Sequence, residues 1–308
     1  MEPVLVDTVT KGDDWVHQVK WDGIRGLCYV EQNRTRLYTR SGRERIDWYP
    51  EVAQIKSMLD CREAVLDGEL IVLDNAGKPS FYHVMSRERV KRLERLAQYK
   101  EKYPVQYMVF DILYRDGHDL RGTSLSDRKE ILEKTLHGNG MIQVVADYND
   151  GEALFSAMKE KRMEGIVSKR LSSLYIGGKK HREWLKTKIK KRLLCVVCGV
   201  KLRDGEVKSL ILGVHQNEHL VHVGNVSSGL SYKDKTLLTQ AFSRLEQKES
   251  PFGSEIREKD VIWLHPVLTV LVMYMEKEPQ GGLRHPVLEG FSAKKPEEAV
   301  GEEEIVSS

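Results

Sequence analysis

Apolar and polar positions alternate in short runs along the first 190 residues, and the period switches between two and three to four often enough to predict interleaved strands and helices. Residues 15–20 read as a strand and Gly26-Leu27-Cys28-Tyr29-Val30 as the next. Arg36-Leu37-Tyr38-Thr39-Arg40 alternates and breaks at Ser41-Gly42, which leaves Arg40 at a strand end beside a turn, within reach of a ligand. Two longer apolar runs follow, residues 64–73 interrupted by Asp67-Gly68-Glu69 and residues 105–114 with Phe110-Asp111 near the centre. Helical spacing marks a segment opened by Tyr49-Pro50-Glu51, residues 80–102, a segment capped near Ser124, and residues 151–162; short strands are expected at 141–146 and 164–170. Strict strand–helix–strand alternation is missing, so the fold class is α+β. From residue 193 the pattern turns to short strands with turn residues at Arg203-Asp204-Gly205, His215-Gln216-Asn217 and Gly224-Asn225, a helical segment at 231–247 and a strand-like run at 261–275. That combination predicts a small barrel of the OB type. The expected organisation is a domain over 1–190, an OB-type domain over 191–293, and a tail over 294–308 that is acidic, apolar-poor and expected to be disordered.

Composition narrows the function classes. The chain has 308 residues and a formal net charge of only +3, but 31% of it is charged, so a uniform polyanion-binding surface is not implied. No apolar run approaches the roughly 20 residues that span a bilayer, and Met1-Glu2-Pro3-Val4 lacks the features of a signal peptide, so a cytoplasmic protein away from membranes is expected. The 4 cysteines fit a reducing compartment. Cys195 and Cys198 form a C-x-x-C in an apolar run with no second pair to complete a zinc site; both read as core residues of a strand, facing opposite sides.

The candidate chemistry centres on Lys20-Trp21-Asp22-Gly23-Ile24-Arg25. A lysine amine attacks phosphorus only when neutral, and an ordinary pKa of about 10.4 keeps it protonated; burial and a neighbouring cation such as Arg25 act to release the proton. Gly23 is expected to let the backbone turn beside a ligand. The competing reading is a strand end carrying a Lys20–Asp22 salt bridge. Glu69 lies in an apolar strand, where a charge is costly unless ligand-bound or ion-paired, and both alternatives stand. Phe110 reads as either core or site. The cations Arg87, Arg89, Lys91, Arg92 and Arg95 read as a solvated helix face as readily as a nucleic-acid contact. In Trp184-Leu185-Lys186-Thr187-Lys188 the alternation puts Lys186 and Lys188 on one face, where an anion such as phosphate would relieve their repulsion; a lysine-blunted edge strand is the alternative.

Taken in order, these segments resemble the motifs of the nucleotidyltransferase superfamily of ATP-dependent DNA ligases, RNA ligases and mRNA capping enzymes. Lys20 to Arg25 resembles motif I, Arg40-Ser41-Gly42 the short motif after it, and Asp67-Gly68-Glu69 motif III. Phe110-Asp111 resembles motif IIIa, Glu164-Gly165-Ile166-Val167-Ser168-Lys169 motif IV, and Trp184 to Lys188 motif V. The Arg-Ser-Gly segment, the form of motif IV and Arg284-His285-Pro286 are most similar to bacterial end-joining DNA ligases. The resemblance implies an adenylation domain followed by an OB-fold domain. It implies that Lys20 takes AMP from ATP and that Mg2+ or Mn2+ is held with Glu69 and Glu164. Phe110 would stack on adenine, Arg25 and Arg40 would hold ribose or phosphates, Lys186 and Lys188 would hold the α-phosphate, and Lys169 would touch the nucleotide. It also implies a monomer acting on nicked or broken duplex DNA at the nucleoid, with a Ku-type end-binding protein as partner. With nineteen residues before Lys20, no N-terminal DNA-binding domain is expected.

Two positions depart from the family pattern. Gln18 stands where a glutamate usually accepts a hydrogen bond from the adenine amine; its carbonyl can do the same without charge. Motif VI usually carries an arginine and an aspartate where this chain has Ser292 and Ala293, ahead of Lys294 and Lys295. Unless Lys294, Lys295 or Arg284 substitutes, the expected consequence is slow self-adenylation or dependence on being supplied already adenylated.

Overall fold

A computed structural model describes residues 1–217, 219–253, 260–278 and 280–306. The chain forms two compact units, Met1–Ile189 and Lys190–Ser308.

The first unit is built on two sheets. One has the order β1-β10-β9-β2, from strands β1 (Glu2–Val6), β2 (Trp15–Val19), β9 (Gly165–Arg170) and β10 (Lys180–Lys188), with β1 parallel to β10 and the other pairs antiparallel. The other has the order β4-β3-β5-β6-β7, from β3 (Ile24–Glu31), β4 (Arg34–Thr39), β5 (Ala64–Val72), β6 (Val105–Arg115) and β7 (His118–Asp119), with β8 (Ile142–Val144) parallel to β6. Helices α1 (Phe81–Glu88), α2 (Leu96–Lys102), α3 (Leu125–Thr135) and α4 (Gly151–Glu160) complete it.

The period of two in β5 sorts its side chains. Leu66, Leu70 and Val72 enter the main core with Leu37, Val109, Ile112 and Leu132, while Val65 and Ile71 join smaller clusters on the opposite face. Asp67 and Glu69 share that opposite face by the same alternation. Gly68 is required on the core side, because a Cβ there would stand 2.6 Å from the Tyr107 ring. Tyr107 crosses under it to donate to the carbonyl of Gly26 at 2.9 Å.

Several helical expectations are shorter in the structure. Residues 80–102 do not form one helix: α1 ends at Glu88, Val90 is buried and its carbonyl accepts from Trp48 Nε1 at 2.9 Å, and α2 begins only at Leu96. Arg87 is correspondingly no surface cation. It is fully buried and bonds both Glu51 oxygens at 2.8 and 3.1 Å. The segment after Tyr49-Pro50 is a 3-10 helix, Val52–Met58.

The second unit has the order β13-β12-β11-β15-β14, from β11 (Lys190–Arg203), β12 (Glu206–Gln216), β13 (His219–Val226), β14 (Glu246–Gln247) and β15 (Val261–Tyr274). A short pair, β16 (Glu276–Lys277) and β17 (Leu283–Arg284), follows; β18 (Val287–Ser292) pairs β15 and β19 (Glu303–Val306) pairs β11. Helix α5 (Tyr232–Ala241) opens with a capping box of Ser231 and Asp234. Cys195 and Cys198 are both buried in β11 and join different apolar clusters, as residues on opposite faces do.

The tail expected to be disordered is ordered through residue 306; residues 307–308 lie outside the described ones. Ala299 is fully buried, and β19 runs antiparallel to the first residues of β11 with Glu304 opposite Arg192, an ion pair at 3.5 Å. The acidic run carries no apolar signal because it needs none. An edge strand is held by backbone hydrogen bonds and opposite charges across the ladder.

Candidate active site

Residues 20–23 join β2 to β3 and so carry the chain from one sheet to the other; the pocket lies between those sheets, wholly within the first unit. Its volume is about 470 Å³, and Gln18, Lys20, Arg25, Arg40, Glu69, Phe110, Lys169 and Lys186 all line it. Trp21, Phe81 and Trp184 add apolar wall. Glu164 and Lys188 stand behind Lys20. The Lys20 ammonium donates to Glu164 Oε2 at 2.5 Å, and Lys188 Nζ lies 2.8 Å from the other Glu164 oxygen. Burial acts to raise the Glu164 carboxyl, but the two lysines outweigh it and hold it below its ordinary value. Lys20 is therefore gripped by a carboxylate rather than pressed by a neighbouring cation, as the sequence suggested. Where the competing reading expected a Lys20–Asp22 salt bridge, the partner the structure gives Lys20 is Glu164.

Arg25 is already occupied. It forks onto Asp67 through Nε and Nη2 at 2.9 and 2.6 Å, and Nη1 donates to the Met1 carbonyl at 2.6 Å. Tyr175 closes this network by donating to Asp67 at 2.8 Å. One N–H of Nη1 is left to face a ligand. Arg40 is exposed and pairs with Glu2 at 2.9 Å. Gly23 meets a further constraint, because a Cβ there would collide with the Leu70 carbonyl of β5. It permits close passage of two backbones, and it also lines the pocket.

Phe110 owes its position to a bulge. Asp67 pairs with Asp111 while Gly68 pairs with Val109, so Phe110 is the extra residue of β6 and is turned into the pocket. Lys169 Nζ stands 4.3 Å from the Phe110 ring centre and 4.1 Å from that of Trp184. Burial lowers its ammonium to about 7, against the pull of Asp111. Burial also lowers Lys186, and repulsion from Lys188 and Lys20 adds to it. This cluster of cations favours an anionic occupant. Gln18 Nε2 donates to Asp147 at 2.8 Å, which directs the amide oxygen away as a free acceptor.

The side chain of Glu69 makes no hydrogen bond among the described residues. Burial raises its carboxyl to about 8, Lys20 and Arg25 oppose this, and Glu164 and Asp67 add to it. Between its ordinary 4.5 and about 8 the unfolded chain is ionised while the folded one keeps the proton, so Glu69 costs stability as pH rises through that window. Glu69→Gln is expected to match the wild type in thermal stability near pH 5. By pH 8 to 9 it should gain on the order of 1–2 kcal/mol, a figure that allows for solvent screening in the pocket. Parallel melting curves across that range would show that Glu69 is not held neutral.

Sequence reasoning missed Asp67 as the anchor of Arg25, Tyr175 as its third member, and Asp147 as the partner of Gln18. The register of β3 against β5, which places Arg25 opposite Glu69 and Leu27 opposite Asp67, carries the first of these. A second cleft of about 480 Å³, lined by Tyr29, Arg34 and Tyr114 among others, contains none of the candidate residues.

A lysine paired to a carboxylate in a cationic pocket between two sheets, followed by a barrel-type unit, is an arrangement suited to nucleotidyl transfer. Comparison with known proteins agrees. The ATP dependent DNA ligase domain matches residues 5–188 and the ATP dependent DNA ligase C terminal region matches residues 203–295. The chain belongs to the ATP-dependent DNA ligase family, with the α+β nucleotidyltransferase domain and OB-fold domain of that family. It is 32% identical over 300 residues to the multifunctional non-homologous end joining protein LigD of Mycolicibacterium smegmatis, across 95% of this chain and 38% of that protein. The bifunctional LigD of Bacillus subtilis is 26% identical across 94% of this chain and 48% of its own length. The chain thus spans less than half of these relatives. The crystal structure of the ligase domain from M. tuberculosis LigD superimposes with a TM-score of 0.53 at 30% identity, covering 98% of both chains. A mycobacterial DNA ligase D complexed with ATP and MES gives 0.53 at 30% identity over 97% of both.

Proposed function

We propose that this chain seals 5′-phosphate/3′-hydroxyl breaks in duplex DNA, with Lys20 as the nucleophile. The Lys20 amine attacks the α-phosphorus of ATP; an N–P bond forms, the bond to the β-phosphate oxygen breaks, and pyrophosphate leaves as the amine gives up its proton. A DNA 5′-phosphate oxygen then takes AMP from Lys20. Finally the 3′-hydroxyl attacks that phosphate, forming the phosphodiester and releasing AMP. All three steps are phosphoryl transfers, for which a protein supplies position and charge. The observation that carries this reading is Lys20 paired to Glu164 at 2.5 Å on the wall of a pocket that also presents Phe110 and Lys186.

The other roles follow from the same wall. Phe110 offers a ring for adenine and the Gln18 carbonyl an acceptor for its amine. Lys186, with Lys188 once Glu164 is engaged elsewhere, faces the α-phosphate, and Lys169 and Arg40 face the remaining nucleotide oxygens. Arg25 acts mainly by fixing Asp67 and the pocket floor, with one N–H toward the ribose or phosphate.

A divalent ion fits as a shared ligand and not as a resident of a protein cage. Among the described residues no three acidic, histidine or cysteine side chains gather to hold a metal, but Glu69 makes no side-chain hydrogen bond and Glu164 stands beside Lys20. One or two carboxylates plus substrate phosphates is the donor set that Mg2+ or Mn2+ takes. When bound, such an ion supplies charge neutralisation at the phosphates. The chain's own part is to exchange the Lys20–Glu164 pair for a free amine as Glu164 turns to another cation.

The likeness to end-joining relatives supports broken DNA ends as substrate; with that substrate we infer a Ku-type protein holding the ends and a monomer working in the cytoplasm at the nucleoid. Among the described residues no helix is long and apolar enough to cross a membrane. Sealing of a nicked DNA duplex with ATP, compared with GTP and with the same nick in RNA, tests the assignment. Sealing confined to RNA, or driven by GTP, would overturn it.

A further inference from the structure

Between α1 and β6 lies a basic arm that the proposed chemistry does not use. Residues 89–102 carry Arg89, Lys91, Arg92, Arg95, Lys100 and Lys102 against Glu94 and Glu101, a net charge of +4. All six cations belong to exposed residues, and among the described residues none forms an ion pair, not even with the two carboxylates of the arm. Two exposed arginines elsewhere in the first unit do pair, Arg34 with Glu44 at 3.0 Å and Arg121 with Asp119 at 2.6 Å; what sets the arm apart is six cations within fourteen residues without an ion pair among the described residues.

The arm is mounted firmly at both ends. Before it, Glu88 is held by Arg45 at 2.9 Å and by Tyr49 at 3.0 Å, and the Val90 carbonyl accepts from Trp48. After it, the Tyr103 carbonyl accepts from the buried Arg87 at 3.0 Å and the Tyr103 ring stacks on His83 with centres 4.8 Å apart. Arg87 also reaches the Trp48 carbonyl at 2.6 Å, so one buried guanidinium ties the base of the arm to the segment carrying Glu51. A solvated charged stretch needs no such base. A surface that must meet regularly spaced anions gains from it, because less ordering remains to be done on binding.

Position singles out the anion. Phe81, the first residue of α1, lines the nucleotide pocket, and the eight residues of α1 carry the chain about 12 Å from there to the arm. At about 3.4 Å per base pair along a strand, that distance is three to four base pairs from a phosphate reacting in the pocket. We infer that residues 89–102 grip the duplex backbone beside the break, at phosphates about four to eight base pairs from the reacting end; this rests on the DNA-sealing reading above.

Arg92→Gln, Arg95→Gln and Lys100→Gln, combined, remove three exposed charges far from the nucleotide. Binding to a nicked duplex lacking the 3′-hydroxyl is measured by fluorescence anisotropy over a series of salt concentrations, beside self-adenylation with ATP alone. The log–log salt slope is expected to fall by about 0.9 for each phosphate no longer neutralised, about 2.7 for the triple variant, with self-adenylation unchanged. Uncharged methylphosphonates placed four to eight base pairs from the nick should weaken the wild type more than the variant, which keeps Arg89, Lys91 and Lys102. A variant with the wild-type slope and affinity would overturn the arm's role while leaving the ligase reading intact. A wild type that neither binds nor seals the nick would overturn both, and is told apart because the failure then lies in the unmodified protein.

Discussion

Lys20→Ala is expected to abolish transfer of AMP to the chain and to leave the fold in place. The backbone at this position is held independently of the side chain, since the Lys20 N–H donates to the Gly165 carbonyl at 3.0 Å. Loss of the ammonium does not strand its partner, because Glu164 keeps Lys188 at 2.8 Å. The stability cost is therefore about 1 kcal/mol, the range of one charged interaction whose partner remains satisfied. The chemical cost is total, because no other amine occupies the bridge between β2 and β3. Circular dichroism and labelling with α-labelled ATP are read side by side. A folded Lys20→Ala protein that still takes up label would move the nucleophile to another lysine, Lys186 first.

Arg128→Met is expected to destabilise the first unit by about 3–5 kcal/mol, because it leaves the Asp111 carboxylate buried without its partner. Both side chains are fully buried, joined by Nε to Oδ1 at 2.8 Å and Nη2 to Oδ2 at 3.0 Å. Nη1 adds the carbonyls of Thr123 and Ser173 at 2.7 and 3.0 Å. This pair locks α3 to β6 next to the bulge that presents Phe110, so the apparent ATP affinity should fall with stability. Combining Arg128→Met with Asp111→Leu removes the uncompensated charge and should recover much of the loss. Urea unfolding of the single and double variants measures both. A single-variant loss below about 1 kcal/mol would show that the pair does not hold the helix.

Alternation explains what could be read in advance. A period of two placed Lys186 and Lys188 on one face of β10, and the structure turns Lys186 toward the pocket that Glu69 also lines. What escaped was set by register and distance. Lys20 and Glu164 are 144 positions apart, and no local pattern says that they meet. The bulge at Phe110 breaks the period that would have sent that ring toward the core or away from it. Arg87 counted as one cation among five because its partner Glu51 lies 36 positions upstream. At Gly23 the sequence showed the turn beside the pocket but not the Leu70 backbone that also excludes a side chain there. The tail misled because composition reports core-forming power and is silent on edge pairing, which is what orders Glu303–Val306. The structure places Ser292 at the end of β18 opposite Thr269, whose hydroxyl bonds the Ser292 and Lys294 carbonyls at 3.2 and 2.6 Å.

Incubation of the wild-type chain with α-labelled ATP and Mg2+, followed by a chase with nicked duplex DNA and denaturing electrophoresis, tests the central claim most directly. Label is expected first on a band of this chain's 35.4 kDa mass, then on the 5′-phosphate of the nick, and finally as free AMP as the strand is sealed. A chain that takes up no label, or that holds its label unchanged in the presence of the nick, would contradict a lysyl–AMP intermediate on the path to a sealed strand.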